Sequence, residues 1–339
     1  MARIAVDGRF LGTGTGLANY TRHLLRALLA EGSHDYVVLT RDGTATGLDV
    51  ETTLADIAHY SFAEQVRLPR IVAATECDLA FYPHFNAPMI SRTPFVVTVH
   101  DLILHRYPGD ASRMKQLVYR SLLRRNLHAA EAVIAVSEWT KQDIAEHYGA
   151  RVGARTSVSG EGAGEVFGPR DDDAIDAARS RHGLTGDYFL YAGNAKPHKN
   201  LDLLVAAHRA SGVDADLVLV TGDPAASRFE GDRVFIARGV DDDELAALYS
   251  GARAFTTTSL DEGYCLPVAE ALACGCPVIA STCGAIPETA AGHARLVPPT
   301  LGDWTAALAA PVSPQDPVQV GDWTAAARRT VAVFDRVLR

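Results

Sequence analysis

Short apolar runs alternate with amphipathic stretches along almost the whole chain, and the alternation starts twice. Ile4–Val6, Tyr36–Leu39, Leu79–Tyr82, Phe95–Val99 and Val133–Val136 have the length and apolar density of buried strands. Between the first two, Leu17, Tyr20, Leu24 and Leu28 fall on one helical face, and Gly32 supplies a stop. Strands separated by helices fold as right-handed βαβ units on a parallel sheet, because the crossover must pack back on the sheet it leaves. The breaker Phe167-Gly168-Pro169-Arg170 and three aspartates interrupt this pattern. It then resumes with Tyr188–Ala192, Leu217–Val220, Val234–Ile236, Ala254–Thr257 and Val278–Ala280. A chain of 339 residues is the right size for two such domains. The expectation is an α/β protein of two doubly wound, Rossmann-like domains facing each other across a cleft, with ligands outside the carboxyl ends of the strands.

Charge narrows the partners. A net charge of -9 lacks the basic footprint of a nucleic-acid binder, so no nucleic acid is expected. No segment approaches the ~20 apolar residues of a membrane helix. Met1–Val6 runs directly into a strand, without the apolar core of a signal peptide. Cys77, Cys265, Cys274, Cys276 and Cys283 lack zinc spacing and read as reduced thiols, which fits a cytoplasmic protein.

The most informative segment runs from Leu260 to Ile279. A strand feeds a loop, the loop feeds a helix ending near Gly275, and another strand follows. Pro267 suits the first helical turn, whose free backbone N–H groups and dipole would attract a diphosphate. Glu262 before that turn and Glu270 within the helix are acceptor-only groups suited to sugar hydroxyls and a ribose diol.

Glu262 and Glu270, with Gly263, Leu266, Pro267, Ala271, Gly275, Pro277 and Val278, resemble the signature of the GT4-type retaining glycosyltransferases, which have the GT-B fold. Gly12–Tyr20, Pro83–Pro88, Val97–Leu102, Val136–Thr140 and Tyr191–Asn200 resemble further family segments in the family's order. The similarity is nearest to a bacterial mannosyltransferase-like branch. It implies an acceptor-side domain over 1–167, a donor domain over 168–320, and a C-terminal helix over 321–339 packing back on the first. It also implies a hexosyltransferase that needs no cofactor or metal. The donor would be a nucleotide sugar, GDP-mannose as a first expectation, and the acceptor a hydroxyl that can be lipid-linked.

By the same resemblance Glu270 binds the donor ribose, Glu262 the donor sugar, and Lys199 the diphosphate, while His100 lies near the reacting carbon. Gly14 and Gly16 admit close approach to the backbone; Asn194, Lys196 and the turn Gly263, Tyr264, Cys265, Leu266 and Pro267 complete the donor site. Three departures stand out, one of them the stretch 159–164, unusually glycine-rich where relatives enter the interdomain linker. Asn194 occupies a position where many relatives carry arginine, with Lys196 nearby to supply the charge, and Cys265 replaces the usual glycine.

Other features have plainer readings. Gly12-x-Gly14-x-Gly16 is not a dinucleotide fingerprint, since position 17 is leucine and no acid closes the second strand. Asp171–Asp173 and Asp241–Asp243 read as helix caps rather than metal motifs. Gly-Asp-Trp-Thr-Ala-Ala, at 302–307 and 321–326, reads as two helices capped by aspartate with tryptophan inward. Residues 112–130 carry five Arg or Lys and no acid, with Met114, Leu117, Val118 and Leu122 on one face. A packed helix with a basic outer face is the favoured reading, and peripheral contact with anionic lipid the other. Two alternative functions keep the same fold: a non-catalytic sugar-nucleotide binder and a sugar-nucleotide epimerase.

Overall fold

The computed structural model describes residues 1–13, 16–43, 47–109 and 112–339. They form two compact units. The first comprises Met1–Glu161 and Trp323–Arg339, and the second Gly162–Asp322. The chain thus leaves the first unit slightly before the Phe167–Arg170 break and re-enters it at Trp323.

The first unit contains strands β1 (Arg3–Asp7), β2 (Asp35–Thr40), β3 (Glu51–Leu54), β4 (Leu79–Tyr82), β5 (Phe95–Val99), β6 (Ala132–Ala135) and β7 (Thr156–Val158). Its helices are α1 (Gly16–Glu31), α2 (Phe62–Ala74), α3 (Ile103–Arg106), α4 (Arg113–Ala129), α5 (Glu138–Tyr148) and α6 (Ala150–Ala154). The strands are all parallel, in the order β3-β2-β1-β4-β5-β6-β7. β1 and β4–β6 are buried along nearly their whole length, as continuous apolar runs require in a sheet covered on both faces.

The second unit contains α7 (Asp172–Arg181), β8 (Tyr188–Ala192), α8 (Leu201–Ser211), β9 (Asp216–Val220), β10 (Val234–Ala237), α9 (Asp242–Gly251) and β11 (Ala254–Thr257). It continues with α10 (Leu266–Ala273), β12 (Val278–Ser281), α11 (Ile286–Ala290), β13 (Ala294–Val297) and α12 (Leu301–Ala309). Its parallel sheet has the order β10-β9-β8-β11-β12-β13. The last helix, α13 (Trp323–Leu338), returns to the first unit and packs on α1.

Local chemistry explains the element ends. Gly32 takes φ 64° and closes α1, its N–H donating to Leu28 O at 3.3 Å. Asp171 and Asp241 cap α7 and α9, accepting from Ala174 N at 3.0 Å and Glu244 N at 2.9 Å. The repeated Gly-Asp-Trp segments, in contrast, are not capped alike. Thr300 caps α12, and Asp303 sits inside its first turn. Threonine takes the cap because its short hydroxyl reaches Asp303 N while the aspartate reaches back to it. Trp304 is fully buried in the second unit, whereas Trp323 lies against Tyr20 and His23 in the first.

Beneath the β1 end of the first unit lies a charged knot. Arg9 is buried and donates to Asp7 at 2.7 and 2.8 Å and to Glu64 at 2.7 Å. Asn86 adds two donor contacts to Glu64 at 3.0 Å. Removing the cation would strand two carboxylates out of water. Arg9→Met is expected to cost about 3–5 kcal/mol in chemical denaturation; a loss below about 1 kcal/mol would show that the knot does not stabilise the fold.

Candidate active site

In the second sheet β8 is followed on one side by β9 and on the other by β11, so the connections leave in opposite directions there. Crevices at such switch points are where doubly wound sheets bind ligands. Both loops that carry the expected donor residues emerge from the carboxyl ends of this strand pair.

The β8 loop runs from Gly193 through a single 3-10 turn, Pro197–Lys199, into α8. Tyr191 Oη donates to Asn194 O at 2.7 Å, and Asn194 Oδ1 accepts from Lys196 N at 3.2 Å. Asn194 therefore shapes the loop, while the Lys196 side chain is exposed. The β11 loop is locked to it: Leu260 N donates to His198 O at 2.7 Å, and Thr258 Oγ1 to Lys199 O at 3.1 Å.

These tethers bring Lys199 and Glu262 together. Lys199 Nζ lies 2.6 Å from Glu262 Oε1, with the side chains only 15% and 8% exposed. Burial alone would lower the lysine pKa, but the Glu262 carboxylate more than offsets it, so the pKa is raised and the ammonium stays charged. The Glu262 backbone is held equally tightly. Its carbonyl accepts from Ala285 N at 3.0 Å, and a Cβ on Gly284 would lie 2.5 Å from Glu262 N. Gly284, at φ 63°, thus admits the loop only because it has no side chain.

Gly263 and Tyr264 are buried, and the Thr289 hydroxyl donates to the Tyr264 carbonyl. Cys265 takes φ 78° and ψ 63°, the left-handed conformation natural to glycine. The chain therefore makes the glycine turn with a cysteine, whose thiol pKa is raised by burial. Leu266 begins α10 and Pro267 follows in its first turn, where its missing N–H costs nothing. Glu270, one turn on, accepts from Tyr249 Oη at 3.2 Å. Tyr249 is fully buried and fixes one orientation of that carboxylate.

The first unit holds the remaining expected residues. Gly14 lies outside the described residues. Gly16 is the first residue of α1, and a Cβ there would meet nothing within 4 Å. His100 follows β5. Its Nε2 is 2.8 Å from Pro83 O and its Nδ1 3.5 Å from Glu161 Oε1. With an oxygen facing each nitrogen, the doubly protonated ring is favoured. Burial opposes the charge, yet hydrogen bonding and attraction from Glu161 prevail, and the pKa is raised above 6.5. Tyr20 meets the ring edge-on at 4.5 Å.

Glu161, Tyr249 and Gly284 are absent from the residues picked out by sequence. Each lies outside the motif it supports: Glu161 in a glycine-rich stretch, Tyr249 on α9, Gly284 in the turn after β12. The glycine-rich stretch 159–164 marked the place of Glu161 but not its role, and Gly284 is a flexible residue two positions before Ile286-Pro287, where α11 begins.

Comparison with known proteins places this arrangement. The family description "Glycosyltransferase Family 4" matches residues 14–158, and "Glycosyl transferases group 1" matches 186–313. The chain is a GT-B glycosyltransferase of family 4, group 1. This glycosyltransferase is 24% identical over 312 residues to the O-antigen chain mannosyltransferase RfbU of Salmonella typhimurium, covering 85% of this chain and 84% of that one. It is 34% identical over 195 residues to a D-inositol 3-phosphate glycosyltransferase of Streptomyces bingchenggensis, but spans only 42% of that protein. The solved Anabaena Alr3699/HepE structure, in complex with UDP and glucose, superposes with a TM-score of 0.71 over 99% of this chain and 96% of that one. At 18% identity that likeness speaks for the fold alone.

The His100 geometry has a measurable sign. A raised pKa in the folded state stabilises the glycosyltransferase fully below about pH 6.5 and loses that contribution as pH rises through the folded value. Glu161→Gln is expected to lower the His100 pKa, read by NMR titration of its imidazole, and to flatten that pH dependence. An unchanged His100 titration in Glu161→Gln would refute the pairing.

Proposed function

We propose that this glycosyltransferase moves a hexose from a nucleoside-diphosphate sugar to a hydroxyl acceptor with retention of anomeric configuration and without a metal ion. The observation that carries this reading is the buried Lys199–Glu262 pair beside the first turn of α10. A charged ammonium beside the positive end of a helix dipole suits a departing diphosphate. Glu262 is assigned to the donor sugar hydroxyls, and Glu270, oriented by Tyr249, to the ribose diol. Gly16, Asn194, Lys196 and the turn Gly263–Pro267 are assigned to the donor's phosphates and sugar. GDP-mannose is the first donor to test, because a relative covering most of this chain is named a mannosyltransferase. On the same ground the first acceptor to test is a glycan hydroxyl, with lipid-linked and small-molecule hydroxyls next.

In this mechanism donor binding brings the phosphate to Lys199. The ammonium neutralises charge building on the leaving oxygen as the glycosidic bond breaks. The departing diphosphate takes the acceptor proton on the face from which it leaves, and the new bond forms on that same face. His100, whose charged form Glu161 and Pro83 O favour, is assigned to the acceptor side near the reacting carbon. A binding protein would hold the donor without turnover; an epimerase would change its donor in the absence of acceptor.

Product NMR after incubation with GDP-mannose and an acceptor is expected to show the donor's anomeric configuration, with activity unaffected by EDTA. Inversion, or loss on EDTA with recovery on added manganese, would overturn the mechanism.

The ion pair allows stability and turnover to be separated. Lys199→Ala leaves a buried carboxylate unpaired and should cost about 3–5 kcal/mol of stability. It should also cut turnover roughly a hundred- to a thousandfold. Adding Glu262→Gln to Lys199→Ala should recover much of the stability and none of the turnover. Recovery of both would show that Lys199 serves only the fold.

A further inference from the structure

Of the α4 face expected to pack inward, only Leu122 does so, and in part. The buried residues of α4 are Leu123, Asn126 and Leu127, with Tyr119 and Leu122 packed partly against the core. Asn126 fixes this rotation by donating to Phe85 O at 3.0 Å and Ala87 O at 2.8 Å. Met114, Leu117 and Val118 are consequently 67%, 60% and 58% exposed.

Three and four residues on, the same stripe reaches Ser121, Arg124, Arg125 and His128, which line a surface hollow of about 560 Å³. One helical face thus offers apolar side chains in its first half and cations in its second. Arg113, Lys115 and Arg120 flank it, and among the described residues none of the five Arg and Lys side chains of α4 is in an ion pair. Arg120 Nη2 ties α4 to α3 through His105 O at 3.3 Å.

We propose that this face of α4 docks on an anionic lipid bilayer. An interfacial helix buries a few apolar side chains at the headgroup boundary and keeps its cations at the phosphates, the division seen along this stripe. A chain of net charge -9 gains no such attraction from its overall composition, so the patch must act locally. A second copy is a poor occupant. A two-fold contact would lay the patch on itself and bring the unpaired cations of both helices together.

The test is flotation of the full-length protein with vesicles of phosphatidylcholine alone or with about one third phosphatidylglycerol. Binding is expected only to the anionic vesicles and should weaken as salt rises. Leu117→Asp with Val118→Asp, and separately Arg113→Glu with Arg124→Glu, should each lower partitioning about tenfold or more. Leu117→Met should leave it unchanged. Because these side chains are exposed and lie outside the assigned donor and acceptor groups, turnover with a soluble acceptor should be unaffected by all three. Equal binding to neutral vesicles, absence of binding to both, or a dimer in sedimentation velocity that the Leu117→Asp, Val118→Asp variant abolishes would overturn the proposal.

Discussion

An ammonium and a carboxylate 2.6 Å apart and nearly out of water are stable only while their surroundings hold them together. Desolvating either alone would cost more than the fold could supply, so the pair depends on the two backbone segments that present it. Those segments leave adjacent strands, β8 and β11, and are bonded through Leu260 N and Thr258 Oγ1. The remainder of the second unit can be understood as support for that juxtaposition. The parallel sheet sets the spacing, Gly284 admits the Glu262 loop, and Cys265 accepts a left-handed backbone so that α10 can begin where it does. Left-handed geometry in a residue with a Cβ costs about 1–3 kcal/mol and persists only where neighbours over-determine it.

Every interior strand of the two sheets is legible in the sequence, and so is the edge strand β10. The ten apolar runs all fall on observed strands, to within a residue or so at the ends. The three strands without such a run, β3, β7 and β13, are each at a sheet edge. An edge strand pairs on one side only. Glu51–Leu54 and Ala294–Val297 are largely exposed, so their residues need not be apolar. The site divides on similar lines. Residues assigned to a ligand sit in a few short motifs, each legible in the sequence. Residues that orient them, Tyr249 and Glu161, come from other elements, and only the folded chain reveals their bonds.

The α4 helix shows how far periodicity alone can go. Two stripes of that sequence, one through Leu117 and one through Leu123, are each apolar enough to face a core. The choice between them is made by a polar residue. Asn126 finds two carbonyls in the Phe85–Ala87 loop, and a buried amide must be satisfied, whereas an exposed leucine is tolerated. Hydrogen-bond satisfaction thus overrode hydrophobic content and left an apolar stripe outside.

The clamp on the Glu262 loop is made almost wholly of backbone. Ala285 N meets Glu262 O, Gly284 lies flat against Glu262 N, and Ser281 and Thr289 send short hydroxyls to the carbonyls of Ser259 and Tyr264. Long side chains can absorb a displacement by rotating about their torsions, but contacts of this kind have almost no such slack. The loop and the Ser281–Thr289 segment therefore form a single opening unit: local unfolding of one releases the other. The carboxylate on that loop inherits the rigidity of β12 and α11, so thermal fraying there and displacement of the Glu262 carboxylate from Lys199 become one event.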